Sequence, residues 1–198
     1  MTTFLLIRHA MHELGPSRLA GRLPGVRLTD KGRAQAERLA DRLHTVALTA
    51  LYSSPQQRTR ETAAPIAERC GVGVEIVDAL DEVDFGEWSG KAFEDLDNDP
   101  RWAPWNADRN TAVTPTGETI ADLRDRIVGH IEHCCASNPG GCIALVTHAE
   151  VIRTAVLHYL GMSFDAWTRL EIEPASISRL VFTDSGPVLA GLNEKVVA

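Results

Sequence analysis

Several things are scarce in this 198-residue chain, and each scarcity removes a class of function. No apolar run approaches the roughly 20 residues that a membrane-crossing helix needs, so no membrane partner is expected. The opening residues, Met1-Thr2-Thr3 and a short apolar run ending at Arg8-His9, lack the basic flank and long core of a signal peptide. Cysteine is sparse: Cys70, Cys134, Cys135 and Cys142 include no C-x-x-C pair, which fits reduced thiols in the cytoplasm. His130 and Cys134 would share a helix face, yet no second pair accompanies them, so no metal and no cofactor are expected. Positive charge is short as well. With 20 Lys+Arg against 27 Asp+Glu the net charge is −7, which argues against nucleic acid as a partner. A small anionic ligand stays open, because a few converging arginines set the local field. Walker-type glycine loops, GxSxG and HExxH are all missing.

What remains is a chain with 44% apolar residues and length enough for one substantial core, so a single domain over 1–198 is expected. Phe4-Leu5-Leu6-Ile7 runs without alternation, the pattern of a strand buried on both faces of a parallel sheet. Arg8 and His9 stand at its carboxyl end, where open α/β sheets bind ligands. A punctuated loop follows from Met11 to Leu28, and Thr29 then caps a helix running to about Leu43. Ala50–Ser53 reads as a second strand. Ser54-Pro55-Gln56-Gln57 reads as a helix start with Ser54 as cap, Pro55 in the first position and Gln57 completing a capping box. Arg58 falls in the first turn of that helix, and Arg60 lies about 200° round it.

Val74–Val77 predicts a third strand, leading into Leu80-Asp81-Glu82-Val83-Asp84-Phe85-Gly86-Glu87-Trp88-Ser89-Gly90, an acidic loop with aromatic anchors. Residues 91–115 read as an excursion over the core that is either a lid or simple anchoring, with a short helical start at Ala92–Leu96 and with Trp102 and Trp105. A long helix is predicted from Thr116-Gly117-Glu118-Thr119 to about Cys135, with Ile120, Leu123, Ile127 and Ile131 on one stripe. Cys142–Thr147 is a fourth buried strand ending at His148, and an apolar helix follows with Ile152, Ala155, Val156, Tyr159 and Leu160 along one side. Leu170–Glu173, Ser178–Thr183 and Val188–Gly191 read as closing strands.

Strands alternating with helices imply an α/β sandwich with a largely parallel sheet. Arg8, His9, Arg58, the Glu82 loop and His148 all follow strand ends, so one sheet edge can collect them. Two arginines and two histidines converging suit an oxyanion, most naturally a phosphoryl group. A neutral histidine there can attack phosphorus, and a nearby carboxylic acid can protonate the departing oxygen.

These stretches resemble the histidine phosphatases, the phosphoglycerate mutase-like superfamily. Arg8-His9-Ala10 resembles the family's Arg-His-Gly, with Ala in place of Gly; Ser53-Ser54-Pro55-Gln56-Gln57-Arg58 resembles Ser-Ser-Pro-x-x-Arg. Leu80–Gly90 resembles the acid-donor loop, and Val146-Thr147-His148 the strand of the second histidine. The resemblance implies a three-layer α/β/α sandwich with a mostly parallel central sheet. It implies His9 as nucleophile, with Arg8, Arg58 and His148 binding the phosphoryl oxygens. Glu82 would be the acid and then the base. No metal is implied, because arginine and histidine charges stand where magnesium stands elsewhere. Where most members carry a small hydroxyl residue three positions after the nucleophile and often Asn at six, this chain has His12 and Gly15. His12 either substitutes as a donor or lies on the loop. Gly21 matches a glycine lining the substrate entrance.

The implied activity is hydrolysis of a small phosphorylated metabolite through phosphohistidine. A mutase must hold a doubly phosphorylated intermediate, and 91–115 offers only Lys91, Arg101 and Arg109 among many acids. A silent phosphate-binding module is the remaining alternative, disfavoured because all five core residues match. The sequence leaves the oligomeric state open, a homodimer included.

Overall fold

The computed structural model describes residues 1–195, so the last three residues of the expected 1–198 unit lie outside it. Six strands form one mixed sheet: β1 (Thr2–Arg8), β2 (Ala50–Ser53), β3 (Val74–Ile76), β4 (Cys142–Thr147), β5 (Ser176–Thr183) and β6 (Gly186–Lys195), in the order β3-β2-β4-β1-β5-β6. The four strands from β3 to β1 are parallel; β5 and β6 add antiparallel at one edge. Because side chains alternate across a strand, each central strand feeds two cores. Phe4, Leu6, Ile143 and Leu145 face α5 (Ile120–Ser137) and α6 (Ala149–Tyr159). Leu5, Ile7, Ala144 and Val146 face α1 (Asp30–Leu43) and α2 (Gln57–Cys70). That is the three-layer sandwich expected.

Local signals hold in several places. The Thr29 side chain accepts from Gly32 N–H and caps α1, and Thr119 forms a capping box with Asp122 at the start of α5. The α5 helix therefore begins at Ile120, later than the sequence placed it. Two short helices, α3 (Phe93–Leu96) and α4 (Trp102–Ala107), lie in the 91–115 excursion.

Three expectations fail. Ser54 does not cap α2: the cap position is Gln56, without a side-chain bond, and Gln57 reaches Glu61 at 2.7 Å instead of closing a capping box. Leu170–Glu173 joins no ladder; its carbonyls go to arginines, Leu170 O to Arg153 and Ile172 O to Arg8. Leu160 is exposed at the end of α6, outside its buried stripe.

Candidate active site

Strand register brings the site together. Arg8 is paired with Thr147 across β1 and β4, and Ser53 with Val146 across β2 and β4, so three carboxyl ends lie side by side. His9 N–H donates to Thr147 O at 2.9 Å, and the His9 and His148 rings are 5.3 Å apart. His9 Nδ1 is 2.9 Å from Ala10 O. A carbonyl only accepts, so Nδ1 carries the proton and Nε2 keeps its lone pair. Burial, then the Arg58 and Arg8 charges, holds this imidazole well below its ordinary pKa. It is neutral at physiological pH.

Arg58 is 1% exposed, whereas Arg60 on the same helix faces solvent. Its Nη2 donates to Gly21 O at 2.6 Å and to His148 Nδ1 at 3.1 Å, while Nε and Nη1 are buried without a partner. Arg8 likewise donates Nη1 to Ile172 O at 2.6 Å and leaves Nε buried and free. Burial lowers Arg58 to about 10, with Glu82 and Asp81 opposing, so it stays cationic. Gly21 has φ +51°, and a Cβ there would collide with the Ser89 hydroxyl. Glycine thus lets a main-chain carbonyl reach the arginine.

His148 makes two side-chain contacts. Arginine has no acceptor, so the contact from Arg58 makes Nδ1 the unprotonated nitrogen and puts the proton on Nε2. Nε2 lies 2.8 Å from Ser54 Oγ, which reaches Asp81 Oδ1 at 3.2 Å. Both nitrogens are committed, and His148 does not line the cavity. It holds Arg58 along one edge of the guanidinium. Ser54 Oγ also accepts from Gln56 N–H at 3.3 Å, two residues on, so it serves the turn before α2 as well as His148.

Glu82 is buried, which raises its carboxyl to about 7; Glu150 raises it further, and the Val83 N–H, Arg58 and Arg8 oppose. Its backbone is clamped. Glu82 O accepts from Arg22 Nε at 2.7 Å and Arg126 Nη2 at 3.0 Å, and Glu118 pairs with both arginines at 3.1 and 3.2 Å. Arg126 also donates to Ala79 O and Asp81 O. The competing acids have other work: Asp81 accepts from Glu82 N–H and Gln56, Asp84 from Gly86 N–H, and exposed Glu87 pairs with Arg101.

Arg8, His9, His12, Gly21, Arg58 and Glu82 line one cavity of about 380 Å³. Phe93, Trp102 and Arg109 of the excursion line it as well. Trp102 packs edge-on against Trp88 at 5.2 Å, and Trp105 is fully buried beside Phe85. His12 belongs to the site: its ring is 5.2 Å from His9, its Nδ1 is buried without a partner, and burial plus Arg58 and Arg8 lower it to about 4. The sequence suggests no more than a solvated loop residue for Arg22, and it singles out none of Arg126, Glu150 and Arg153. Glu150 and Arg153 had a signal, since they are charged residues three apart among the buried residues Ala149 to Leu157 of α6. Arg22 and Arg126 act across the fold and had none. Among the described residues no group of three or more His, Cys, Asp or Glu could hold a metal ion. A neutral histidine, two cations with free donors and a carboxyl raised to about 7 around one cavity suit transfer of a phosphoryl group.

Comparison with known proteins agrees with this chemistry. A family model of the histidine phosphatase superfamily, branch 1, matches residues 4–195. Phosphoserine phosphatase 1 of Hydrogenobacter thermophilus is 29% identical over 198 residues, covering 98% of this chain and 92% of that protein. A probable phosphoglycerate mutase of Enterobacter sp. is 28% identical, covering 96% and 90%. The crystal structure of phosphoserine phosphatase from Entamoeba histolytica in complex with 3-phosphoglyceric acid superposes with a TM-score of 0.90 at 26% identity, covering 98% of each chain. The chain belongs to the histidine phosphatase superfamily, branch 1.

Proposed function

We propose that this histidine phosphatase hydrolyses small phosphomonoesters in two in-line steps through a phosphohistidine on His9. In the first, the Nε2 lone pair attacks phosphorus, the P–O bond to the alcohol breaks, and Glu82 gives its proton to the departing oxygen. In the second, Glu82 takes a proton from water, the water oxygen attacks phosphorus, and the N–P electron pair returns to Nε2. The free donors of Arg8 and Arg58, with His12 beside them, hold the phosphoryl oxygens as charge spreads over them. His148 keeps Arg58 in place. No step requires a metal.

The observation that carries this reading is the pairing of opposite protonation states in one cavity: a histidine kept neutral with Nε2 free, and a carboxyl raised to about 7. Hydrolysis is favoured over mutase chemistry by the charges of the 91–115 excursion. Arg101 is exposed and bound to Asp99 and Glu87, Arg109 is paired with Glu150, and Lys91 does not line the cavity, so among the described residues the excursion brings no free cation to the cavity for a second phosphate. The four free thiols support a cytoplasmic setting. The test is to quench turnover with alkali and assay for phosphohistidine. Label on His9 in the wild type and none in His9→Ala is expected; label on another residue would overturn the assignment.

A further inference from the structure

One wall of the cavity carries charged groups that the proposed mechanism does not place on the phosphoryl group. Glu150 and Arg153 come from the first turns of α6 and Arg109 from just beyond α4, and all three line the cavity with Arg8, His9 and Glu82. Arg109 is 3% exposed, its Cζ 4.6 Å from the Trp105 ring and 4.2 Å from that of Trp167. It donates Nη1 to Glu150 Oε2 at 2.9 Å and Nη2 to Asn106 Oδ1 at 2.8 Å, and its Nε is buried without a partner. Arg153 donates Nη1 to Glu150 Oε1 at 2.6 Å and Nε to Leu170 O at 3.0 Å. Its Nη2 has no hydrogen-bond partner among the described residues.

Each oxygen of Glu150 is therefore taken by one arginine, which leaves this carboxylate poorly placed to receive a ligand ammonium. Two cations face one anion, so the wall keeps one unit of positive charge beside a cavity. A purely structural ion pair would be neutral. We propose that the wall is a carboxylate-binding subsite, so that the substrates are phosphomonoesters bearing a carboxylate a few bonds from phosphorus. Arg153 Nη2 donates to that carboxylate, with the Arg109 charge behind it. One excess charge matches a monoanion; a second phosphoryl group would bring about two. The subsite lies close to the phosphoryl cradle, since the charges of Arg153 and Glu150 both bear on Arg8. The inference rests on the phosphatase reading above.

The test compares kcat/KM for 3-phosphoglycerate and glycerol 3-phosphate, which differ in a carboxylate against a hydroxymethyl group. The wild type should favour the carboxylate by about tenfold or more, the scale of one charged hydrogen bond. The ratio within a single variant cancels losses of folded protein. Arg153→Gln should bring it toward one, Arg153→Lys should restore part of it, and Glu150→Gln should raise it by removing the competing anion. A wild-type ratio near one, or one that Arg153→Gln leaves unchanged, overturns the subsite, and the wild-type arm needs no variant to fold. Propane-1,3-diol bisphosphate against its monophosphate is the second arm, and a larger preference there would replace the carboxylate by a second phosphoryl group. If p-nitrophenyl phosphate and all these esters go unhydrolysed, the phosphatase reading itself falls and the subsite with it.

Discussion

Nη2 of Arg58 lies 3.1 Å from Nδ1 of His148, so the second histidine of the site spends its acceptor on holding an arginine. The same nitrogen reaches Gly21 O, and Nε2 of His148 is anchored by Ser54. The cation at the centre of the site is thus fixed on one edge and free on the other. Arg58→Ala should cost turnover at least about a hundredfold, the scale for losing a preorganised charge donor. Arg60→Ala, on the exposed side of α2, should stay within about twofold, as expected of a solvent-facing residue. Steady-state kinetics on p-nitrophenyl phosphate check both, and equal losses would contradict the assignment.

Gly21→Ala should lower turnover about 10- to 100-fold, because its new Cβ meets the Ser89 hydroxyl and displaces the carbonyl that holds Arg58. Adding Ser89→Gly should restore part of the loss. Gly25→Ala is the control, with a similar positive φ and nothing within 4 Å of its Cβ. It should cost stability alone, about 1 kcal/mol of left-handed strain. Equal kinetic losses at the two glycines would show that strain is responsible, and the Arg58 contact is not.

Glu82 gives the pH dependence its sign. As an acid raised to about 7, it is protonated and able to donate below that pH and loses the proton above it. For esters with poor leaving groups, kcat/KM should therefore fall on the alkaline side from about pH 7, while His9 adds no acid limb until well below its ordinary range. Glu82→Gln should slow alkyl phosphates far more than p-nitrophenyl phosphate, whose phenolate leaves unprotonated. Glu150→Gln removes a neighbouring negative charge and should move the alkaline limb to lower pH. The same selectivity appearing in Asp84→Asn or Glu87→Gln would place the acid elsewhere on the loop.

The raised carboxyl also lowers stability. Between pH 4.5 and about 7 the folded state keeps a proton that the unfolded state has lost, so stability falls as pH rises through that window. Glu82→Gln has no such dependence. Relative to wild type it should gain about 1–3 kcal/mol on going from pH 4.5 to pH 8, by the linkage of shifted pKa to folding. Urea unfolding at the two pH values measures this; a difference that is flat with pH would mean the carboxyl is not raised.

Legibility in the sequence followed the range of the interaction. Unbroken apolar runs at Phe4–Ile7 and Ile143–Val146 marked the central strands, and Thr29 marked the start of α1, because burial pattern and capping are local. Parallel pairing then placed His9 beside His148, as expected. Ser54-Pro55-Gln56-Gln57 satisfied the local rules for a cap, yet α2 starts later, at Gln57, and the Ser54 hydroxyl is shared between Gln56 N–H and a partner 94 residues away. Leu170–Glu173 alternates like a strand, but arginine side chains claim its carbonyls. The helix α4 was not expected within the excursion; its Pro104 sits in the first turn, where no N–H is needed. The clamp of Arg22 and Arg126 on the Glu82 backbone joins distant segments and left no local trace.

The central claim is that phosphorus is transferred twice, first to His9 and then to water. The stereochemical course at phosphorus tests this most directly, using an ester whose phosphoryl oxygens are isotopically chiral and hydrolysing it in water that supplies a distinguishable oxygen. Each in-line displacement inverts the centre, so two displacements predict net retention of configuration in the released phosphate. Net inversion would mean that water attacks the substrate directly, and the phosphohistidine account would be wrong.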